Sequence, residues 1–367
     1  MTPSESHQAV GADGPPNTDP RASGDRPRGE DGSGAGGGRA DSYYGRPVVK
    51  PLRWHVPNMP AYLFLGGLSG GASVMAAGAE ATGRPRLALT GEITALLAGT
   101  AGAGLLVAEL GRPDRFLNML RVFKPTSPMS VGAWVLAAQG GLTAAAAGSY
   151  LTGVLPRVGR AAGYATAVTG PAMATYTAVL LADTAVPAWQ RARRELPFLF
   201  AGSGMAAAGA IGMTVVPGPE GAPARRLAIA GATLEAAATA VLERGLGYEG
   251  EPYGLGRAGR FLRIGRTLSM LGAAGALLAG RNRGKGRAGR GNGRHGGWGG
   301  GRGADSGDGR ALAAVSGLAL LGGALCTRFG VFFAGDASAR DPAYTVLPQR
   351  ERREAVTTPA PDARDAT

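Results

Sequence analysis

A chain that crosses hydrocarbon has few choices, because every backbone N–H and C=O in the bilayer interior needs a partner within the protein. A helical span takes roughly 20 apolar residues. This sequence offers eight candidate runs, at 59–81, 87–110, 129–152, 163–186, 196–217, 225–246, 261–280 and 311–335. Soluble core helices would carry charged faces at helical period, and these runs lack them. Small residues crowd them, as at Gly66-Gly67, Gly70-Gly71, Gly99, Gly102 and Gly104. Such residues let helices approach closely in lipid, where packing replaces the hydrophobic effect. The expected fold class is an all-α integral membrane protein with eight transmembrane helices.

The mean hydropathy of +0.00 conceals two populations. Residues 1–42 and 336–367 are polar tails, and 281–310 is a Gly/Arg-rich tract. None holds enough large apolar side chains to offset the entropy of folding, so all three are expected to be disordered. The membrane domain then spans 43–335. Within it, Pro60-Ala61-Tyr62-Leu63-Phe64-Leu65-Gly66-Gly67 opens the first run and Leu196-Pro197-Phe198-Leu199-Phe200-Ala201-Gly202-Ser203 opens the fifth. This faint repeat is what two four-helix bundles in the same orientation would produce.

Eight spans put both termini on one side, side A. Its short segments carry Arg46, Lys50, Arg53, Arg112, Arg115, Arg121, Lys124, Arg191, Arg193, Arg194, Arg257 and Arg260; those of side B carry Arg84, Arg86, Arg157, Arg160, Arg225 and Arg226. The positive-inside rule places side A in the cytoplasm of a multi-pass cell-membrane protein, and the Gly/Arg tract on side B argues the other way.

The segment Glu109–Ser130 between the second and third runs carries four Arg/Lys, three Pro and two Phe. Pro113, Pro125 and Pro128 fix φ and make the chain turn at set points. Residues 115–123 place apolar side chains at helical spacing beside Arg, which reads as an interfacial amphipathic helix; an ordinary basic membrane loop is the rival reading.

Ionisable residues inside spans are costly and are functional candidates. Glu109, Asp183, Glu243 and Arg328 fall toward side A, with His55, Asn58 and Tyr62 at the mouth of the first span. Glu80 and Glu92 fall toward side B, and Glu235 is nearest mid-membrane. Structural roles compete at each: Glu109 pairing with Arg112, Asp183 capping a helix or snorkelling, Arg328 pairing with an acid, His55 anchoring at the interface. Of three histidines, His7 and His295 lie in the polar segments. One usable imidazole argues against a paired-His haem. A single cysteine, Cys326, excludes a Cys-ligated cluster within this chain. No metal site and no nucleotide-binding loop is expected. The Arg tract is read as a solvated linker, so no nucleic-acid partner is expected.

Three stretches then carry a resemblance: Pro60–Gly71, Glu109–Arg121, and Phe123-Lys124-Pro125-Thr126-Ser127-Pro128-Met129-Ser130-Val131-Gly132-Ala133-Trp134. They look like the NrfD/PsrC family, the membrane subunits of polysulfide-reductase-like molybdoenzyme complexes. The match is specific over 55–135 and collinear to about 335. The resemblance implies eight helices in two four-helix bundles. It also implies a haem-free subunit binding menaquinone or ubiquinone, which exchanges electrons with a four-cluster ferredoxin-like iron–sulfur subunit serving a molybdopterin catalytic subunit. It places quinone near His55 and Asn58, and the iron–sulfur partner on side A at Arg112, Arg115, Phe116, Arg121 and Lys124. The order and spacing of His55 and Asn58 need not match every member.

The residue chemistry is compatible with that role. His55 can donate and relay protons near neutral pH, Asn58 can donate without titrating, and Tyr62 or Arg328 can stabilise charge on a quinone oxygen. Glu109, Asp183, Glu92 and Glu235 are the proton-transfer candidates. Two other functions remain open at this level: a secondary transporter or ion-translocating protein, supported by the repeat and the intramembrane acids, and a purely structural membrane anchor.

Overall fold

The computed structural model describes residues 49, 50, 52, 54–110, 118–245, 247–288 and 304–357. The described residues are helical, without strands. The helices are α1 (Asn58–Ala81), α2 (Pro85–Glu109), α3 (Pro128–Thr152), α4 (Pro156–Ala182), α5 (Pro187–Arg191), α6 (Leu196–Val215), α7 (Ala222–Gly245), α8 (Glu251–Gly254), α9 (Gly256–Ala288), α10 (Ala304–Arg340) and α11 (Ala343–Thr357). Proline occupies the first turn of α2, α3, α4, α5, α6 and α8, where its missing N–H costs nothing and its fixed φ suits the helix. The Ser127 hydroxyl caps α3 by accepting from the Ser130 N–H. Gly153 ends α3 in the left-handed conformation, φ 71°.

Among the described residues, seven helices are long and apolar enough to cross a membrane: α1, α2, α3, α4, α6 and α9 from Gly256 to Gly280, with α10 from Gly309 to Arg340. The expected span at 225–246 is helical as α7, but Arg225, Arg226, Glu235, Glu243 and Arg244 leave its composition short of that measure. Two more expectations are revised. The C-terminal tail expected from 336 is helical to Thr357: the Asp341 carboxylate accepts from the Ala343 N–H and starts α11, and the Tyr344 ring lies 5.1 Å from that of Tyr248. A composition reading missed this because one cap and one aromatic contact anchor an otherwise polar helix. In the segment after α2, residues 118–120 form only a 3-10 turn, and 121–126 are exposed. Residues 111–117 of the expected amphipathic helix lie outside the described residues, as do the N-terminal tail to 48 and the Gly/Arg tract over 289–303; α9 runs to Ala288 into that tract.

Neighbour relations follow chain order. Helix α1 packs on α2 and α4, and α3 on α4 and α2; α6 packs on α7 and α10, and α9 on α10 and α7. The two sets meet mainly where α1 lies against α6. There Gly67 and Gly204 touch backbone to backbone: a Cβ on Gly204 would lie 2.6 Å from the Gly67 carbonyl oxygen. Both glycines stand seven residues after a proline, Pro60 and Pro197, one residue out of step with the pairing expected from the sequence.

Loop contacts separate the two ends. At one end the Trp54 ring stacks on Trp189, 5.8 Å between centroids, and Trp189 Nε1–H donates to the Val331 carbonyl at 2.8 Å. The Tyr253 hydroxyl donates to the Ala188 carbonyl and the Tyr344 hydroxyl to Glu251. Burial, helped by Glu195, raises the Tyr253 phenol far above its ordinary pKa; burial and the hydrogen-bonded Glu251 do the same to Tyr344. At the other end the Arg86 N–H donates to Glu220 at 2.7 Å and the Tyr150 hydroxyl to the Pro85 carbonyl at 3.0 Å.

We predict that Gly204→Ala destabilises the purified protein by about 1–3 kcal/mol, since the obstructing atoms are backbone. Gly104→Ala, with nothing within 4 Å of the new Cβ, should leave thermal unfolding in detergent unchanged. Equal melting temperatures for the two variants would contradict the crossing.

Candidate functional site

The sequence candidates fall into three places. The first is the mouth of α1 at the Trp54–Trp189 end. His55 precedes α1, and its side chain is 78% exposed. Both its backbone N–H and its Nδ1 lie 3.2 Å from Glu109 Oε2 at the end of α2. The Glu109 side chain is nearly buried, and its Oε1 has no hydrogen-bond partner among the described residues. With Nδ1 protonated, His55 donates to Glu109 and leaves Nε2 free toward a ligand. Asn58 begins α1 and is half-buried. One turn deeper, Tyr62 is buried at the glycine face of α2, beside Gly102. Trp54 and Leu52 tie this segment to the cluster of Tyr62, Trp189, Leu196 and Phe332. Trp189 was invisible to the span reading because it sits between spans. Its side chain is buried against Gly335 of α10, where any side chain would collide with the ring.

The second place lies deeper, where α1, α6, α7 and α10 meet. Arg328 is buried; Nη2–H donates to the Phe200 carbonyl at 2.8 Å, and the guanidinium carbon stands 3.6 Å from the centroid of the Phe200 ring. Its Nε and Nη1 have no hydrogen-bond partner among the described residues. Glu235 attracts it electrostatically without a direct salt bridge. The Thr327 hydroxyl donates to Glu235 Oε1 at 2.5 Å and the Ser269 hydroxyl to Oε2 at 3.3 Å. The structural alternative for Arg328, an acid partner, is thus partly met by Glu235. Glu243, expected toward side A, pairs with Arg266.

The third place is at the opposite end. Glu92 is buried in α2 with Oε2 unpartnered, and it lines a cavity of about 250 Å³ with Glu80, Ser149, Tyr150, Arg160 and Tyr164. Asp183 joins none of these groups through a hydrogen bond; it is exposed at the C-cap of α4. Arg121 and Lys124 are exposed; Arg112, Arg115 and Phe116 lie outside the described residues. No cluster of three or more His, Cys, Asp or Glu suited to a metal occurs among the described residues.

Sequence reasoning passed over a buried polar series inside the first four long helices. Gln139 Nε2–H donates to Ser73 at 2.6 Å and its Oε1 accepts from Thr169; Ser73 donates to the Ser69 carbonyl and Ser69 to that of Ala95. The available signal was Gln139 itself, a lone amide in an Ala/Gly helix. A buried amide in lipid demands partners.

Residues 48–227 match the model of the family described as polysulphide reductase, NrfD. No curated protein matches the chain.

Arg328→Met should lower the melting temperature sharply, because it leaves Glu235 without its compensating charge. The double variant Arg328→Met/Glu235→Gln should recover part of the loss, with a coupling of about 0.5–3 kcal/mol. Simple additivity in detergent-solubilised protein would show that the two groups do not interact.

Proposed function

We infer that the chain belongs to the NrfD family, whose model residues 48–227 match and whose members are membrane subunits of polysulfide-reductase-like oxidoreductase complexes. On that premise we propose that it is the quinone-binding anchor of such a complex, exchanging electrons between a membrane quinone and an iron–sulfur subunit that serves a molybdopterin enzyme. The observation that carries the reading is the His55–Glu109 pair at the mouth of α1, with the second carboxylate oxygen of Glu109 buried and without a partner among the described residues.

Those residues fit a quinone or quinol headgroup. An orphaned acceptor, an exposed imidazole and the Asn58 amide converge on one helix end, above the buried Tyr62 and apolar Leu105 and Leu106. When bound, quinone supplies two-electron, two-proton redox chemistry. His55 holds or accepts a proton at Nε2 while Glu109 orients the ring through Nδ1. Asn58 orients the headgroup by donation. Arg328 lies behind this site, toward Phe200 and Glu235, and we assign it an electrostatic role from there.

We read α7 as an eighth span. Its start follows the Glu220–Arg86 end, and the chain beyond it reaches Tyr253 and Ala188 at the opposite end. The helices then form two four-helix bundles, α1–α4 and α6, α7, α9, α10, with α1 against α6. We read residue 54 and residues 331–344 as lying on one side, a reading supported by the Trp54–Trp189 stack and the Trp189–Val331 hydrogen bond and consistent with an even number of spans; we assign that side to the cytoplasm by its arginines. Arg121 and Lys124 are the described part of the surface we assign to the iron–sulfur partner.

His55→Ala and Asn58→Ala should each lower quinone-linked turnover of the assembled complex by on the order of 10²-fold, the loss typical of one oriented donor, with partner content unchanged on blots. Normal turnover and quinone KM in both would reject the site. Arg121→Glu with Lys124→Glu should release the iron–sulfur partner from membranes in pull-downs; an intact complex would reject the docking surface.

An ion-translocating function is the second reading, favoured by the unpartnered Glu92 and the Gln139–Ser73–Thr169 series. In proteoliposomes, Glu92→Gln should leave proton movement per electron unchanged if the first reading is complete; a fall in that ratio at constant electron flux would establish the second.

A further inference from the structure

Helix α9 carries arginine at every third position of its first three turns: Arg257, Arg260, Arg263 and Arg266. The first three are exposed and make no ion pair among the described residues, and neither does exposed Arg244 at the same end of α7. Only Arg266 is partnered, by Glu243. Among the described residues, five arginines at the end of two neighbouring helices thus have one ion-pair partner, Glu243.

Directly beneath lies a mostly apolar groove of about 380 Å³ between α7 and α9, lined by Ala232, Ala236, Met270, Ala273, Ala274 and Leu277, with Arg266 at its basic end and Glu235, held by Ser269 and Thr327, also in its lining. From Leu262 to Leu277 the groove follows α9 for roughly 22 Å at 1.5 Å per residue, longer than one leaflet of a core about 30 Å thick. Alanines on both walls leave the space that larger side chains would fill. The rim is open: Met270, Leu271, Leu277 and Leu278 are exposed hydrophobics. At 100° per residue, Arg263 falls on the Met270–Leu277 side of the helix, the face that borders the groove.

We propose that this groove is a binding site for an anionic diacyl phospholipid of the side-A leaflet. One acyl chain lies along the alanines of α7 and α9. The phosphodiester sits among Arg244, Arg260 and Arg263, and Arg266 is shared with Glu243. Charge complementarity selects this occupant: guanidinium groups pair strongly with phosphate oxygens, whereas a neutral isoprenoid would leave the row of arginines without a counter-charge. The site needs α7 in the membrane but does not depend on the quinone reading.

The test uses the full-length purified chain, titrated with phosphatidylglycerol or phosphatidylcholine and read by native mass spectrometry. Wild type should retain phosphatidylglycerol about tenfold or more over phosphatidylcholine, the scale of two or more arginine contacts at roughly 1 kcal/mol each. The charge variant Arg244→Gln/Arg260→Gln/Arg263→Gln should lose that preference. The groove-filling variant Ala236→Leu/Ala274→Leu, altered only at exposed positions, should lose retention with every arginine in place. Unchanged retention in either variant overturns the proposal. Displacement of the lipid by millimolar inorganic phosphate also overturns it, since the arginines would then bind a free anion and the groove would contribute nothing.

Discussion

The backbone contact between α1 and α6 at Gly67 and Gly204 is the constraint on which the arrangement rests. In lipid no hydrophobic effect drives helices together, so close approach of backbones supplies the attraction. A Cβ on Gly71 would lie 2.5 Å from the Gly204 carbonyl oxygen, and one on Gly67 2.6 Å from Arg328 Nη2. The absence of side chains at this crossing leaves room for the one guanidinium the interior contains there. Arg328 stands in the space between the two helix sets, over Phe200 and within the field of Glu235.

Buried charge and buried polarity are distributed unevenly between the sets. Around α6, α7, α9 and α10, polarity concentrates in Glu235, which accepts from Thr327 and Ser269, and in Arg328, which donates to the Phe200 carbonyl and keeps Nε and Nη1 without a partner among the described residues. Around α1–α4 it is spread over Ser69, Ser73, Gln139 and Thr169 in a neutral series, with Glu92 apart near the far end. Unpaired acceptors on Glu92 and Glu109 stand at opposite ends of α2. An unsatisfied buried oxygen costs free energy, so each marks a place where an exchanging proton or a ligand's donor would be stabilising.

Much of the fold was legible because hydropathy is a local property. Seven of the expected runs reappear as long apolar helices, with ends moved where charged first turns such as Arg157 and Arg160 stay helical beyond the apolar part. The helix α7 was legible as a run but carries too many charges for composition alone to assign it to the membrane. The tail helix α11 was illegible, since its anchoring depends on Tyr248 and Glu251, about 90 residues earlier. In the candidate site, the mouth of α1 was identified by residue type. One neighbour of Glu109 was not: the structure brings in His55, 54 residues away, while Arg112, the local expectation, lies outside the described residues.

The sequence by itself determined that the chain is a set of long apolar helices, which of them begin at prolines, and which few ionisable side chains they carry. These follow from transfer energies and backbone sterics, which each residue brings regardless of its neighbours. Only the tertiary structure decided which side chains meet. Alanine and glycine helices can cross in many registers of similar energy, so the offset of the repeat, the Trp54–Trp189 stack, the grouping of Arg328 with Glu235 and the row of arginines above an alanine groove all depend on where each pair of helices comes to rest.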